Sequence, residues 1–597
     1  MALSDLELGT WLLRSTACKR VLRERVVFRS PSHDVLILGA GLAGLRAAVE
    51  ISRRLDGKAD IGIVSKVQLM RAHSVAAEGG TAAVLKLDEG DSLDLHAWDT
   101  VKGSDFLADQ DVVRRFVEAM PEEILQLEHW GIPWTRDEHG RIAQRAFGGH
   151  SFPRATLAAD KTGFFEMQTL YDTLLRYRSF TRYDELFVTE IALADGRFAG
   201  LIGIHAPSGE RVALSAKALL IASGGAGTLY GFTTYSETVT GDGLAMAYRA
   251  GLPLEDMEFL QFHPTGLVPS GILITEACRG EGGYLRNNTG ERFMERYAPS
   301  KMELAPRDLI SRAETTEILE DRGFPGPDGL DSLNLDLTHL GAEKINKRLP
   351  LIRELCMKFL GLDPVDKPIP IRPVAHYSMG GIETDIDGAT RIPGVWAAGE
   401  AACVSLHGAN RLGSNSTAEC LAWGGIAGGR IAEALARLPG PIPILETALR
   451  ASEEHLAWLL RREGSENLYE LRRELRGLMD RGVAVFRTGT GLAEALTTLR
   501  AIRERSARAP VADKSRVYNS NLFHALELEN LLDLAEVAVA GALARQESRG
   551  AHARRDFATR DDERWLKHTL AWPTAQGPRL EYKPVTIDTW KPVERKY

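Results

Sequence analysis

Cysteine is scarce: the 597-residue chain has five, Cys18, Cys278, Cys356, Cys403 and Cys420, with no CxxC pair, no CxxCH and no cluster at metal-ligand spacing. An iron–sulfur centre or attached haem needs such clusters, so the chain is expected to hold neither, and no structural metal. A few scattered thiols suit a reducing compartment better than a disulfide framework. Long apolar runs are missing as well; none approaches the roughly 18 residues a bilayer-spanning helix requires, so membrane association is expected to come through partners. Nor is basic charge in excess. Lys and Arg number 73 against 81 Asp and Glu, and the net charge of −8 argues against nucleic acid as a partner. Residues 1–33 mix apolar residues with arginines but place Asp5 and Glu7 before any apolar core, the pattern of neither a secretory signal nor a transit peptide. They read as an extension that docks on the rest of the chain or on a partner, or as a solvated amphipathic tail.

What is present begins with glycine. A GxGxxG turn (Gly39, Ala40, Gly41, Gly44) closes an apolar strand at 35–38 and opens a helical stretch at 45–51, the setting in which a helix N-terminus holds a dinucleotide pyrophosphate. The turn alone does not separate NAD from FAD. The next strand, 61–64, ends at Ser65 and Lys66 where an acid would take the ribose hydroxyls, so NAD loses support. His73 follows in RAHSVAAEGG (71–80), which sets an imidazole beside the dinucleotide. Two more glycine clusters, ASGGAG at 222–227 and TGDG at 240–243, read equally as tight turns with helix caps.

The first region, 34–256, reads as α/β. Residues 257–369 carry more Pro, Gly and charge and fewer apolar strands, which predicts an inserted capping domain. Strand signals return at 394–398 before Gly399 and Glu400, so the nucleotide domain, 34–256 with 370–436, is expected to be split in sequence and rejoined in space. Over 437–547, apolar residues recur at three and four spacing (Leu456, Leu459, Leu460; Leu468, Leu471, Leu475, Leu478), predicting an antiparallel helix bundle. Residues 548–597 end in the strand-prone LEYKPVTI and read as a small α+β domain.

The serine–lysine pair at 65–66, RAHS and AEGG are followed in order by FHPTG (262–266), TEACRGEGG (275–283), PRD (306–308), AHYSMGG (375–381), HGANRLGSNS (407–416), SRGAH (548–552) and KHTL (567–570). Over nearly the whole chain from Asp34 this resembles the flavoprotein subunit of succinate dehydrogenase and fumarate reductase, respiratory complex II. The resemblance implies a Rossmann-like FAD-binding domain split by the capping domain, with FAD bonded through its 8α-methyl carbon to His73. Further FAD contacts carried over are Gly39, Ala40, Gly41, Gly44, Ser65, Lys66, Ser74, Gly79, Gly80, Asp242, Glu400, Ser416 and Thr417. Substrate contacts carried over are His263, Thr275, His376 and Arg411. Arg307 is implied as the proton-transferring residue, with Glu276 and Arg279 replacing its proton. Two positions depart from the family: Ala72 stands for the usual Ser, and Thr417 for the common Leu.

The chemistry makes its own demands. A four-carbon dicarboxylate must be held at both ends while one C–H exchanges hydride with flavin. The planar fork of Arg411 suits a carboxylate. A free guanidinium is a very poor acid, so Arg307 needs compression against substrate and rapid reprotonation. Glu276 and Arg279, three residues apart, share a face if their segment is helical; read alone they are an ordinary salt bridge. Oxidising succinate needs an electron-poor flavin, which a histidyl link provides.

The implied function is interconversion of succinate and fumarate. Electrons would pass to a separate iron–sulfur subunit and on to quinone at membrane-anchor subunits, with this chain peripheral on the cytoplasmic face of the cell membrane. Glu78 stands where resembling fumarate reductases have Glu and many succinate dehydrogenases have Gln; its carboxylate is expected to bias the flavin through charge and proton coupling. The alternatives are an L-aspartate oxidase-like flavoenzyme, whose flavin is not held by a histidine, and a non-catalytic flavoprotein scaffold.

Overall fold

A strand apolar on both faces belongs at the centre of a parallel sheet covered by helices. In the computed structural model, which describes residues 28–596, the strand Ser32–Leu38 takes that place. It lies parallel to Ile61–Val64 on one side and Arg211–Ile221 on the other, with Val35, Leu36 and Ile37 fully buried. Of the expected N-terminal extension, residues 1–27 lie outside the described residues. Its end already joins the sheet, since Arg29 pairs with Val212. The sheet has seven strands, and Val395–Ala397 pairs parallel to Arg211–Ile221. That pairing brings chain from beyond the insert back to the first region.

Gly39, at φ 115°, turns the chain into the helix Leu42–Arg54; a Cβ there would fall 2.1 Å from the Ala222 carbonyl oxygen. The helix Asn415–Leu435 lies against this one through small residues. A Cβ on Gly424 would sit 2.8 Å from the Ala43 carbonyl oxygen, and one on Gly428 the same distance from that of Ala47. The two backbones therefore touch.

The insert forms a four-stranded sheet of Leu260–Leu267, Ile369–Ser378, Leu333–Asp336 and Tyr284–Arg286, with its own core around Leu267, Leu285, Ile310 and Ile371. Its long strand runs to Ser378, past the boundary expected at 369, so His376 stands on the insert's sheet. In the helical region, Leu468–Gly482 and Ser520–Ala544 pack on Gly489–Ser506, and Leu456, Leu459, Leu471 and Leu475 are buried. The C-terminal strands Lys567–Trp572 and Arg579–Pro584 form a hairpin whose first strand pairs with Leu254–Glu255, stitching the tail to the start of the insert.

His568 anchors that stitch: its Nδ1 lies 2.7 Å from the Asp256 carboxylate and its Nε2 3.3 Å from Asp109. Burial opposes the imidazolium, but the charges of Asp256 and Glu255 and the bond to Asp109 outweigh it and push the imidazole up to about 10. Because the folded state binds this proton more tightly, the stabilisation is complete below the unperturbed value of about 6.5 and is lost as pH rises through about 10. Melting temperatures should therefore show a deficit for His568→Gln at pH 6.5 that shrinks toward pH 10. The helix contact gives a second expectation. Gly428→Ala forces a methyl into backbone and should cost about 1–3 kcal/mol, visible as a lower melting temperature, whereas Gly440→Ala, with nothing within 4 Å of its Cβ position, should leave it unchanged.

Candidate active site

A cavity of about 470 Å³ opens at the ends of the central strands. Of the residues expected at a cofactor, Gly39, Ala40, Gly41, Ser65, Lys66, His73, Ser74, Asp242, Glu400, Ser416 and Thr417 line it, as does His376. Gly44, Gly79 and Gly80 stand behind its wall. Gly44 packs under the first turn, where a Cβ would meet the Gly39 oxygen at 2.1 Å; Gly79 backs on the Phe147 ring and Gly80 on the Thr156 carbonyl. The cavity fits a dinucleotide because its turns lack side chains where backbone must approach a ligand, and the helix starting at Leu42 has no capping side chain at Gly41. Lys66 is held by Asp242 at 2.8 Å and Thr240 at 2.7 Å, and also pairs with Glu527 of the helical region.

The His73 ring stacks on Tyr235, with centroids 5.2 Å apart and planes 15° from parallel. Its turn, His73–Ala76, rests on the helix Thr162–Leu174, where only a glycine fits: a Cβ on Gly163 would lie 2.1 Å from the Ser74 oxygen. Burial pushes the imidazole down to about 4, which leaves a neutral ring with a free lone pair at neutral pH. The Tyr235 hydroxyl donates to Glu400, whose carboxyl burial raises to about 7. Glu78 lies on the same wall with Oε2 unpartnered. Burial, then the like charge of Asp160, lift its carboxyl well above the usual range. That shift favours the protonated carboxyl over the carboxylate.

Beside the cavity, Arg279, Arg307 and Arg411 are each at most 6% exposed. Glu276 serves two of them: Arg307 donates to its Oε2 from Nε at 2.8 Å and Nη2 at 2.7 Å, and Arg279 lies 3.6 Å from Oε1. Burial alone would raise the Glu276 carboxyl, but the two guanidiniums and the Gly148 N–H hold it below its ordinary value. Burial brings the Arg307 guanidinium down to about 10, helped by the like charges of Arg411 and Arg279 and opposed by Glu276. Arg411 lies 4.3 Å over the Tyr377 ring, its Nε without a partner.

His263 and His376 face each other edge to face at 4.9 Å, and burial among these arginines pushes both imidazoles far down, so both are neutral. The Thr265 N–H donates to His263 Nδ1, which leaves Nε2 as the protonated nitrogen, free to donate. His376, on the cavity wall, joins the two halves of the site. Thr275 is buried nearby; a Cβ on Gly79 would lie 4.0 Å from its hydroxyl oxygen.

Gln261 escaped the sequence reading. Its Oε1 accepts from Arg307 at 3.0 Å while its amide donates to the Arg411 carbonyl at 2.7 Å, tying two of the arginines together. Its signal was its place two residues before His263 on a strand. Tyr235 was missed for lack of any local motif around it, and Tyr377, though it stands within AHYSMGG, was given no role.

Comparison with known proteins agrees with this geometry. The family described as FAD binding domain matches residues 34–417, and that described as fumarate reductase flavoprotein C-term matches 472–597. The fumarate reductase flavoprotein subunit of Mycobacterium tuberculosis is 46% identical over 95% of this chain and 99% of its own length. A succinate dehydrogenase flavoprotein subunit from Rickettsia bellii is 42% identical over 93% of this chain and 96% of its own. A solved structure of E. coli quinol fumarate reductase superposes with a TM-score of 0.92 at 44% identity, over 95% of this chain and 98% of that one. Neither an aspartate oxidase nor a scaffold is favoured by likeness of this extent. With a dinucleotide cavity joined through His376 to a chamber of buried arginines, and with relatives matched almost end to end, the chain belongs to the fumarate reductase and succinate dehydrogenase flavoprotein family.

Proposed function

We propose that the chain interconverts succinate and fumarate in the chamber between the FAD cavity and the insert. The observation that carries this reading is a cluster of three buried guanidiniums, two of them paired with the one carboxylate of Glu276, a surplus of positive charge that matches a dianion. Arg411, His263, Thr275 and His376 grip the two carboxylate ends. FAD, when bound, supplies a two-electron hydride acceptor and donor. Arg307 holds the proton for the neighbouring carbon. Its lowered affinity for that proton makes it a far better acid than a free guanidinium, and Glu276 and Arg279 return what it loses.

His73 is the proposed point of covalent attachment, as a neutral imidazole on the cavity wall. The absence of Ser at position 72 leaves this nucleophile intact. Electrons leave for an iron–sulfur subunit, because the buried Cys278, Cys356 and Cys403 stand apart in sequence without cluster spacing. No helix of the described residues is long and apolar enough to cross a membrane. Attachment at the cytoplasmic face is therefore assigned to anchor subunits that bind quinone. Fumarate reduction is the proposed favoured direction, supported by the relatives at 46% identity that carry that name. Voltammetry of the adsorbed protein with both substrates should give the larger current for fumarate reduction; a larger succinate-oxidising current would reverse the assignment.

Two variants test the residues. His73→Ser should keep FAD bound and fumarate reduction intact, lose succinate oxidation, and show no flavin fluorescence on the chain after denaturation; full succinate oxidation in this variant sinks the attachment. Arg307→Ala should lower turnover in both directions by about 10²–10⁴ without loss of FAD absorbance. Unchanged turnover would return the chain to the scaffold reading.

A further inference from the structure

The helix Arg307–Leu319 carries more than Arg307. Glu314 lies seven residues on, two turns along the same face and about 10 Å down the axis, and is completely buried. Neither carboxyl oxygen has a hydrogen-bond partner, an exceptional state for a buried carboxyl. The charged group that acts on it from the neighbouring elements is Arg279, on the short helix Ala277–Gly280. Arg279 in turn leaves Nε without a partner, and its Nη2 has only the 3.6 Å ion pair with Glu276 and no hydrogen bond; its Nη1 is spent on the Glu303 carbonyl. Two buried groups of complementary chemistry, neither fully paired, thus act on each other by charge, one of them at the far end of the relay that begins at Arg307.

One turn further along the helix is Glu317, bonded to Tyr297, Arg296, Arg322 and Asn287. The Arg296 side chain is 44% exposed, so this face of the helix leads from the chamber to solvent.

We propose that Glu314 is a further member of the proton relay, the carboxyl that resupplies Arg279. This rests on the relay assigned above to Arg307, Glu276 and Arg279. After Arg307 has given its proton to the substrate carbon, it takes one through Glu276 from an Arg279 N–H, and Arg279 takes the Glu314 carboxyl proton. Arg307 and Arg279 end as cations and Glu314 as a carboxylate, which regains a proton from the solvent side past Glu317. No electron moves in these transfers. Burial holds the Glu314 carboxyl well above the usual range, which favours the protonated form from which it would donate.

The test is fumarate reduction by the assembled, FAD-loaded enzyme in water and in D₂O. Glu314→Gln keeps the shape but cannot exchange a proton; it should lower kcat at least tenfold, leave KM within twofold and enlarge the solvent isotope effect. Glu314→Met, an apolar filler, should behave alike, and Glu314→Asp should recover part of the rate. A kcat within twofold of wild type for Glu314→Gln overturns the proposal. So does a fall in kcat with a raised KM and an unchanged isotope effect, which marks a packing role. Should Glu314→Gln fold poorly, the same limits apply to Glu314→Met. Glu276→Gln is measured alongside: if it too keeps full turnover, the relay reading itself fails, whereas its loss beside an active Glu314→Gln removes Glu314 alone.

Discussion

The structure is organised around positive charge that it does not neutralise. A buried ion costs several kcal/mol even after the protein relaxes, and here Arg307 and Arg279 share the carboxylate of Glu276 while Arg411 lies buried beside them with no ion pair to it. The rest of the expense is offset piecemeal, by the Gln261 amide oxygen, the Glu303 carbonyl and the face of Tyr377. Arg307 is also the first residue of its helix, where the positive end of the macrodipole adds to the pressure on its proton. A dianion entering the chamber relieves all of this at once. Burial, with the charge of these arginines, keeps the two neighbouring imidazoles neutral, and a sheet strand of the insert holds His376.

Much of this was legible in the sequence because glycine and motif order are local signals. The turn at Gly39, the strand at 61–64 and the helix after TGDG lie where their residues predict them, since each depends on φ or apolar period alone. A strand was also expected at 394–398, and Val395–Ala397 pairs there with Arg211–Ile221, a partner its own residues do not name. What was not legible arises from contacts distant in sequence. Gln261 matters only because Arg307 and Arg411 arrive beside it, and the upward shift of the Glu78 carboxyl comes from its burial and from Asp160, which is distant in sequence. The sheet to which Ile369–Ser378 belongs was not legible for a related reason: it is a good strand anywhere, and only its partner Leu260–Leu267 places it.

The helical region would pass for an appendage if judged by its own apolar spacing. Its longest helix, Ser520–Ala544, nevertheless sends Glu527 to Lys66 and Asn530 to Asp242, two residues on the cofactor wall. Burial alone would lift the Glu527 carboxyl, but the bond from His524 and the charges of Lys66 and Arg472 hold it down at about 2. The cavity is thus closed by three parts of the chain, and its electrostatics belong to none of them singly.

The contact between the helices Leu42–Arg54 and Asn415–Leu435 sets the scale of the site. Because Gly424 and Gly428 let peptide rest on peptide, the spacing between the nucleotide turn and the Arg411 loop is fixed by bond lengths and not by side-chain volume. The surrounding core can then exchange one apolar residue for another, swelling or shrinking by a methylene, without altering the distance across which hydride must travel. Divergence among relatives can accumulate in the packing while the reaction coordinate keeps its length.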